Sequence, residues 1–289
     1  MIAFTRIDEL VTLAEAKKTG IADIVLEWEV EKSEVPANRV WDNMRGRLAV
    51  MQQAVDGGLK QREKSFSGLV GGDACKLLMP AAFLGPVATQ AAAYAMAVGE
   101  VNASMGKIVA CPTAGSCGIV PGAILAVAGL ITNREEKLVK ALFTAAGIGE
   151  VIAKNATVAG AVGGCQAECG SAAAMAAAAV VEMLEGTPRQ SAHALALALK
   201  NMLGLVCDPV AGLVEVPCVK RNAFAAVHAL VAAQMALAGI ESVIPADEVI
   251  DAMFRIGIDL PSSLKETSEG GLAKTPTALA ITRRLLQAE

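Results

Sequence analysis

Aromatic side chains are scarce in this 289-residue chain: 3% of the residues, with a single Tyr and two Trp. A nucleic-acid module needs a basic stripe interleaved with rings. Neither is present, and the net charge is −4 with a pI near 5.4. Histidine is scarcer still, at two residues, so a zinc site of the Cys/His kind has little to draw on. Charged residues make up only 19% against 54% hydrophobic, which excludes a disordered chain. The 27 glycines follow no period, which excludes a collagen-like or linker chain. Strand-like alternation is nearly absent, with Leu213–Val219 the one short stretch. Met1–Leu10 carries Asp8 and Glu9 where a secretory signal is apolar. Long uninterrupted apolar runs are missing too, despite a mean hydropathy of +0.49. The best, Ala223–Ile240, is at the lower limit for a membrane span and contains His228 and Gln234. No Lys/Arg asymmetry or aromatic belt flanks it, so no membrane association is expected.

What the chain has in quantity is alanine, which favours helix and lets helices approach closely. The expected fold class is all-α: a single compact multi-helix domain over residues 1–289, with an Ala-rich buried core and functional loops at helix N-termini. Charge is uneven. Residues 1–64 hold 21 of the 54 charged residues, 65–238 hold 20, and 239–289 hold 13. This reads as charged N-terminal helices, a buried core and a C-terminal wrap. Helices are expected at Ile7–Thr19, from Ala22 through Trp41 to Ala54 with a break near Pro36, and at Ala81–Val101, Ile119–Ile131, Glu136–Ala146, Ile148–Val158, Gln166–Leu184, Arg221–Ala238 and Asp247–Ile256. Thr187 followed by Pro188 is a strong start signal for a helix carrying Ala192–Leu203 and stopping at Gly204. Gly57–Gly58, Ser65–Gly72, Cys207–Cys218 and most of the tail beyond Pro261 read as loop.

The seven cysteines are Cys75, Cys111, Cys117, Cys165, Cys169, Cys207 and Cys218. An odd number in a long chain argues against a disulfide framework and for reduced thiols in a cytoplasmic setting. Three regions combine a special backbone with reactive groups. Ala110–Gly118 (ACPTAGSCG) places small residues ahead of a helix, where free N–H groups and the hydroxyls of Thr113 and Ser116 form either an anion cradle or an ordinary tight connection. In Gly163–Gly170 (GGCQAECG), Cys165 sits at a glycine break before a helix, a position that lowers a thiol pKa. Cys169 follows four residues later, so a two-thiol metal clip is one reading. In Leu205–Asn222, Cys207 and Cys218 bracket a Pro/Gly loop, and Lys220 and Arg221 follow at once. Loop thiolates with adjacent cations suit an iron–sulfur cluster, although no CxxCxxC run is present. His193 and His228 lie inside apolar helical runs and read as packing residues.

At these residues the chain resembles the alpha subunit of the iron–sulfur-dependent L-serine dehydratases (L-serine ammonia-lyases). The resemblance rests on SFSGLVGGD (Ser65–Asp73), Asn102, CPTAGSCGIVPG (Cys111–Gly122), Asn155, GCQAE (Gly164–Glu168), CDPVAGLVEVPCVKRN (Cys207–Asn222) and KETSEGGLAKTP (Lys265–Pro276). It implies a 4Fe–4S cluster held by Cys165, Cys207 and Cys218 with one iron open, while Cys75, Cys111, Cys117 and Cys169 are small buried side chains. It implies a lyase of amino-acid catabolism that acts by β-elimination: L-serine loses water and yields pyruvate and ammonia, without pyridoxal phosphate. Thr113 and Gly115 are expected at the substrate carboxylate. Asn102, Asn155 and Glu168 are expected near the ammonium or behind the cluster ligands. The general base is expected from a separate beta subunit, in an oligomer of alpha–beta units. Neighbouring readings are an L-cysteine desulfidase, an L-threonine dehydratase and a non-catalytic iron–sulfur protein.

Overall fold

The computed structural model describes residues 2–79 and 83–287. Twelve α-helices follow in order among them: α1 (Ile7–Lys17), α2 (Ile21–Ser33), α3 (Ala37–Lys60), α4 (Pro86–Ala103), α5 (Ile119–Val127), α6 (Arg134–Asn155), α7 (Gly160–Gly163), α8 (Ser171–Met183), α9 (Pro188–Lys200), α10 (Cys218–Leu237), α11 (Ala246–Asp259) and α12 (Pro276–Leu286). The described residues contain no strand, and the single β-type pairing is an isolated bridge between Cys207 and Lys265. The all-α expectation holds, and Leu213–Val219 is not a strand.

The centre of the molecule is α8. Its alanines from Ala172 to Ala179 are fully buried, apart from the slightly accessible Met175 among them. α5, α6, α9 and α10 pack around it. A helix apolar on every side needs neighbours on every side, and methyl-sized side chains let those neighbours come close. α10, the rival membrane span, is one of these core helices: Ala225, Ala226, Ala229, Ala232, Ala233 and Ala236 are all buried. Among the described residues no helix is long and apolar enough to cross a membrane.

Glycine was the main source of error in the helix expectations. α3 runs through Gly57–Gly58 to Lys60. Gly58 is there for proximity, since a Cβ would lie 2.2 Å from the Ala97 carbonyl oxygen of α4. Likewise α6 is one helix instead of two, because Gly147 admits the Val25 side chain of α2, 2.3 Å from where a Cβ would stand. The expected start at Ala81 lies outside the described residues, and α4 opens at Pro86. α5 ends at Val127, followed by a 3₁₀ turn over Ala128–Leu130. The expected helix from Gln166 begins as a π-helical turn, Gln166–Gly170, before α8 proper. The Thr187 cap is borne out: its hydroxyl accepts from Gln190 N–H at 3.1 Å, while the Gln190 side chain accepts from Thr187 N–H at 2.9 Å. The same Thr–Pro signature, Thr275–Pro276, opens α12 inside the tail expected as loop.

Buried carboxylates tie outlying segments to this core by accepting backbone N–H bonds. Glu182 of α8 takes the Ala22 N–H at the start of α2 and the Thr144 hydroxyl. Asp247 takes the N–H groups of Ile7 and Asp8 at the start of α1. Both sit at helix N-termini, where the backbone dipole favours negative charge. Glu100 of α4, fully buried, takes three: Gly72 at 3.1 Å, Asp73 at 2.8 Å and Ala74 at 3.2 Å. Burial nonetheless raises its pKa against the lowering effect of those bonds.

Glu100→Ala orphans three N–H groups, and each buried donor left unpaired costs about 1–3 kcal/mol, discounted here for partial access of water. The expected loss is about 3 kcal/mol of unfolding free energy in a urea titration; a loss below about 1 kcal/mol would show that the 72–74 turn does not depend on the carboxylate.

Candidate active site

Three segments far apart in sequence converge on one cavity of about 240 Å³, lined by Thr113, Ala114, Gly115, Glu168, Cys207, Pro209, Val214, Cys218 and Glu266. The first is the turn Cys111–Gly118 ahead of α5. The second is the π turn at 166–170, which follows Gly164 in a left-handed conformation (φ 75°) and aims Glu168 at the cavity. π turns inside helices recur at functional sites because they rotate one residue out of the regular face. The third is the segment Val206–Cys218 with the strand-like pairing to residues 264–266: Cys207 N–H donates to Leu264 O (3.0 Å), and Glu266 N–H donates to Cys207 O (2.9 Å).

Each segment is clamped. Asn222 on α10 donates to Gly115 O (2.7 Å) and Cys218 O (2.8 Å) and accepts from Gly118 N–H (2.8 Å). Its neighbour Arg221 donates to Val206 O and to Asp208, both at 2.9 Å, and Asp208 also accepts from Leu272 N–H at 2.7 Å. Gln166 donates to Gly163 O and Met253 O and accepts from Gly204 N–H. Glu215 accepts from the hydroxyls of Ser65 and Ser67, which joins SFSG to the third segment.

Within the cavity Thr113 Oγ1 donates to Glu168 Oε1 at 2.7 Å and lies 3.1 Å from Ser116 Oγ. The Cys207 thiol points at Glu168 Oε2, 3.8 Å away. Burial pushes Glu168 above the ordinary carboxylate range, and the nearby charge of Glu266 adds to this. Burial likewise raises the thiols of Cys207 and Cys218, the latter to about 12, with Cys165 and Glu168 as further causes in both. Cys165 behaves the other way: its hydrogen bond to Cys169, 3.3 Å between sulfurs, and the Arg221 guanidinium hold it below the usual thiol value. Two carboxylates and four thiols, Cys169 beside Cys165 included, thus share one locality with the guanidinium of Arg221. Such a set is poised to bind a cation or a metal centre. Ligand atoms of Glu168, Cys207 and Glu266 lie within 4.8 Å of one another, and thiolates favour iron or zinc over magnesium or calcium.

Of the residues singled out from sequence, Thr113, Gly115, Glu168, Cys207 and Cys218 line the cavity. Cys165 is buried behind them, within electrostatic reach of both other thiols. Asn102 supports the first segment from outside, through a 3.5 Å bond to Ala114 O. Asn155 is elsewhere, bonded to Thr5 O and Val151 O. Cys218 stands at the first position of α10 instead of in a loop. Cys111, Cys117 and Cys169 are buried, and Cys75 is half-buried with its thiol on Gly72 O. Lys220 and Arg221 part company: Lys220 faces Asp73 at 3.8 Å, and Arg221 faces the thiols. His193 Nδ1 accepts from Ser242 N–H, and His228 Nε2 lies 2.8 Å from Ala198 O; neither lines the cavity. Sequence reasoning missed Glu266 and Asn222. Both stand inside quoted motifs, KETSEGG and VKRN, but neither carries a local signal for its role.

Gly160 of α7 supplies a close-approach test. A Cβ there would lie 2.5 Å from Glu168 Oε2 and 3.2 Å from Cys207 Sγ. Gly160→Ala is expected to leave the thermal midpoint nearly unchanged, since only a side-chain end must move, while breaking the Thr113–Glu168 bond. A crystal structure of the variant checks this; a Glu168 carboxylate still on Thr113 contradicts it.

Comparison with known proteins follows the same residues. A family model described as "Serine dehydratase alpha chain" matches residues 16–273. Over 286 residues the chain is 51% identical to the "Probable L-serine dehydratase, alpha chain" of Bacillus subtilis, covering 98% of this chain and 95% of that protein. Over 283 residues it is 42% identical to the "L-serine dehydratase, alpha chain" of Peptoniphilus asaccharolyticus, covering 96% and 97%. The "L-serine dehydratase" of Streptomyces coelicolor is 37% identical over 282 residues, which span 92% of this chain and 60% of that protein.

Proposed function

The chain belongs to the serine dehydratase alpha-chain family, and from that premise we propose that it is the catalytic alpha chain of an L-serine dehydratase, eliminating water from L-serine to give pyruvate and ammonia. The cavity carries this reading: five of the eight residues singled out beforehand line it. The cofactor is a 4Fe–4S cluster held by Cys165, Cys207 and Cys218. The donor set fits it. The three thiols are close enough to perturb one another, and Arg221 supplies the positive potential that a negatively charged cluster needs. When bound, the cluster supplies a Lewis acid that weakens the Cβ–O bond of the substrate.

The remaining work falls to the chain's own groups. The Gly115 amide, which has no hydrogen-bond partner among the described residues, and the Thr113 hydroxyl receive the carboxylate of the substrate. Glu266 lines the cavity and has no side-chain hydrogen bond among the described residues, so it is free to take the ammonium; Glu168, fixed by Thr113, backs it. Carboxylates facing the ammonium and amides facing the carboxylate orient an amino acid in one sense only, so the hydroxymethyl group is delivered to the thiol side. The product of elimination, aminoacrylate, tautomerises and hydrolyses in water. Both histidines are already committed to backbone contacts, so the base that takes the Cα proton is assigned to a beta chain. The larger size of the Streptomyces coelicolor relative, of which this chain matches 60%, agrees with a second portion. We further infer a cytoplasmic setting, which keeps seven free thiols reduced, and an oligomer of alpha–beta units. L-Threonine or L-cysteine in place of serine is a variant of the same reading.

A second reading is a single metal ion on Glu168, Cys207 and Glu266, the group of closest ligand atoms. One experiment separates the two. Each of Cys165→Ala, Cys207→Ala and Cys218→Ala is expected to abolish iron, acid-labile sulfide and brown absorbance after anaerobic reconstitution and, with the beta chain added, to cut pyruvate formation at least about 10³-fold, or about 4 kcal/mol of barrier. Cys75→Ala, Cys111→Ala, Cys117→Ala and Cys169→Ala keep the cluster. Metal without sulfide, unaffected by Cys165→Ala or Cys218→Ala, would favour the single ion and overturn the cluster.

A further inference from the structure

The segment Val109–Gly115 borders two cavities. Thr113–Gly115 line the one described above, and Val109–Pro112 line a second, larger one of about 460 Å³ between α2, α3 and α6. Its lining is apolar and fixed in the core: Val25, Met44, Met51, Leu142, Phe143 and Met175 are all buried. Three of these are methionines, which adapt to the shape of what they enclose. The volume lies in the usual range for small-molecule sites, about 300–1,000 Å³, where an apolar body fits and a few polar groups set orientation.

The polar groups stand on the cavity lining in both signs. Arg47 and Asn43 come from α3, and Glu29 comes from α2. None of the three side chains has an ion pair or hydrogen bond among the described residues. The other two charged residues of the lining are paired: Lys32 lies 3.5 Å from Glu150 and 4.2 Å over the Trp28 ring centre, and Glu150 also meets Lys154 at 3.2 Å. A free cation and a free anion therefore border one apolar cavity from two helices without pairing. A fatty acid satisfies only the cation, and an apolar amine only the anion. L-Serine brings both charges but has no apolar body for the methionine-rich floor.

We propose that this cavity binds an α-amino acid with an apolar side chain, its carboxylate on Arg47 and Asn43, its ammonium on Glu29, and its side chain among the methionines. The ligand abuts Cys111–Pro112, the residues that lead directly into Thr113. Its effect on turnover follows from the dehydratase reading, but its binding does not depend on it.

The test is isothermal titration of the full, cluster-free chain with L-leucine, L-methionine and L-phenylalanine. The controls are 4-methylpentanoate, 3-methylbutylamine and L-serine, each lacking one part of the match. At least one of the three amino acids is expected to bind saturably, about tenfold or more tighter than every control. Arg47→Ala, at an exposed position, weakens that binding about tenfold or more. Ala146→Phe, exposed on the cavity wall, abolishes it by filling the space. Heat from none of the amino acids, equal affinity for a singly charged control, or binding untouched by Ala146→Phe overturns the proposal. So does a change of sedimentation in Ala146→Arg without amino-acid binding, which makes the cavity a subunit contact. Cluster and turnover play no part in the readout, so failure here leaves the dehydratase reading standing, and the reverse also holds.

Discussion

The first turn of α10 holds the candidate active site together. Cys218, Arg221 and Asn222, spaced i, i+3 and i+4, share one face of the helix start, and between them they reach every segment of the cavity. Asn222 grips the 115–118 stretch at both ends, through Gly115 O and Gly118 N–H, and the backbone of Cys218. Arg221 grips Val206 and Asp208 on either side of Cys207, and its charge reaches Cys165. Asp208 passes the restraint on to the 271–274 turn. Segments separated by more than a hundred residues are thus registered against one rigid helix end, and the thiols depend on that registration for their mutual positions. A site of charged and polar groups in so apolar a molecule is tolerable only where each group has a partner, and here the partners are mostly main-chain carbonyls and amides.

The alanine core is the condition for this arrangement. α8 carries almost nothing larger than a methyl group through its centre, so α5, α6, α9 and α10 approach it closely and bring their ends to one region. Glycines serve the same purpose at single points: Gly58 against Ala97, Gly147 against Val25, and Gly160 against the Glu168 carboxylate. Close approach leaves little tolerance for error, and α1 and α2, whose buried faces (Ile7, Leu10, Val11 and Ile21, Ile24, Val25) join the same core, are also pinned at their N-termini by Asp247 and Glu182.

The sequence made the fold class legible because apolar periodicity and alanine content are local properties. It made helix ends legible where capping chemistry was explicit, as at Thr187–Pro188. The identical signal at Thr275–Pro276 is masked by a stretch dominated by Ser, Gly and charge. Glycine misled because its two uses, breaking a helix and letting one pass close to another, look alike until the neighbour is known. At the site, Glu168 came only with the family resemblance, while the thiols and Thr113 were legible as reactive groups beside special backbone. Glu266 and Asn222 were not, since their roles arise only when residues 115, 207 and 266 are brought side by side. Asn155 entered through the family resemblance alone, and the structure bonds it to Thr5 O and Val151 O, outside the cavity lining.

The account turns on three thiolates sharing one cluster while one iron is left for the substrate. Mössbauer spectroscopy of the anaerobically reconstituted chain, with and without L-serine, tests that most directly. The account predicts four irons per chain with one site distinct from the other three, and a shift confined to that site when L-serine is added. Four equivalent sulfur-bound irons that ignore L-serine, or a single iron without sulfide, would contradict it.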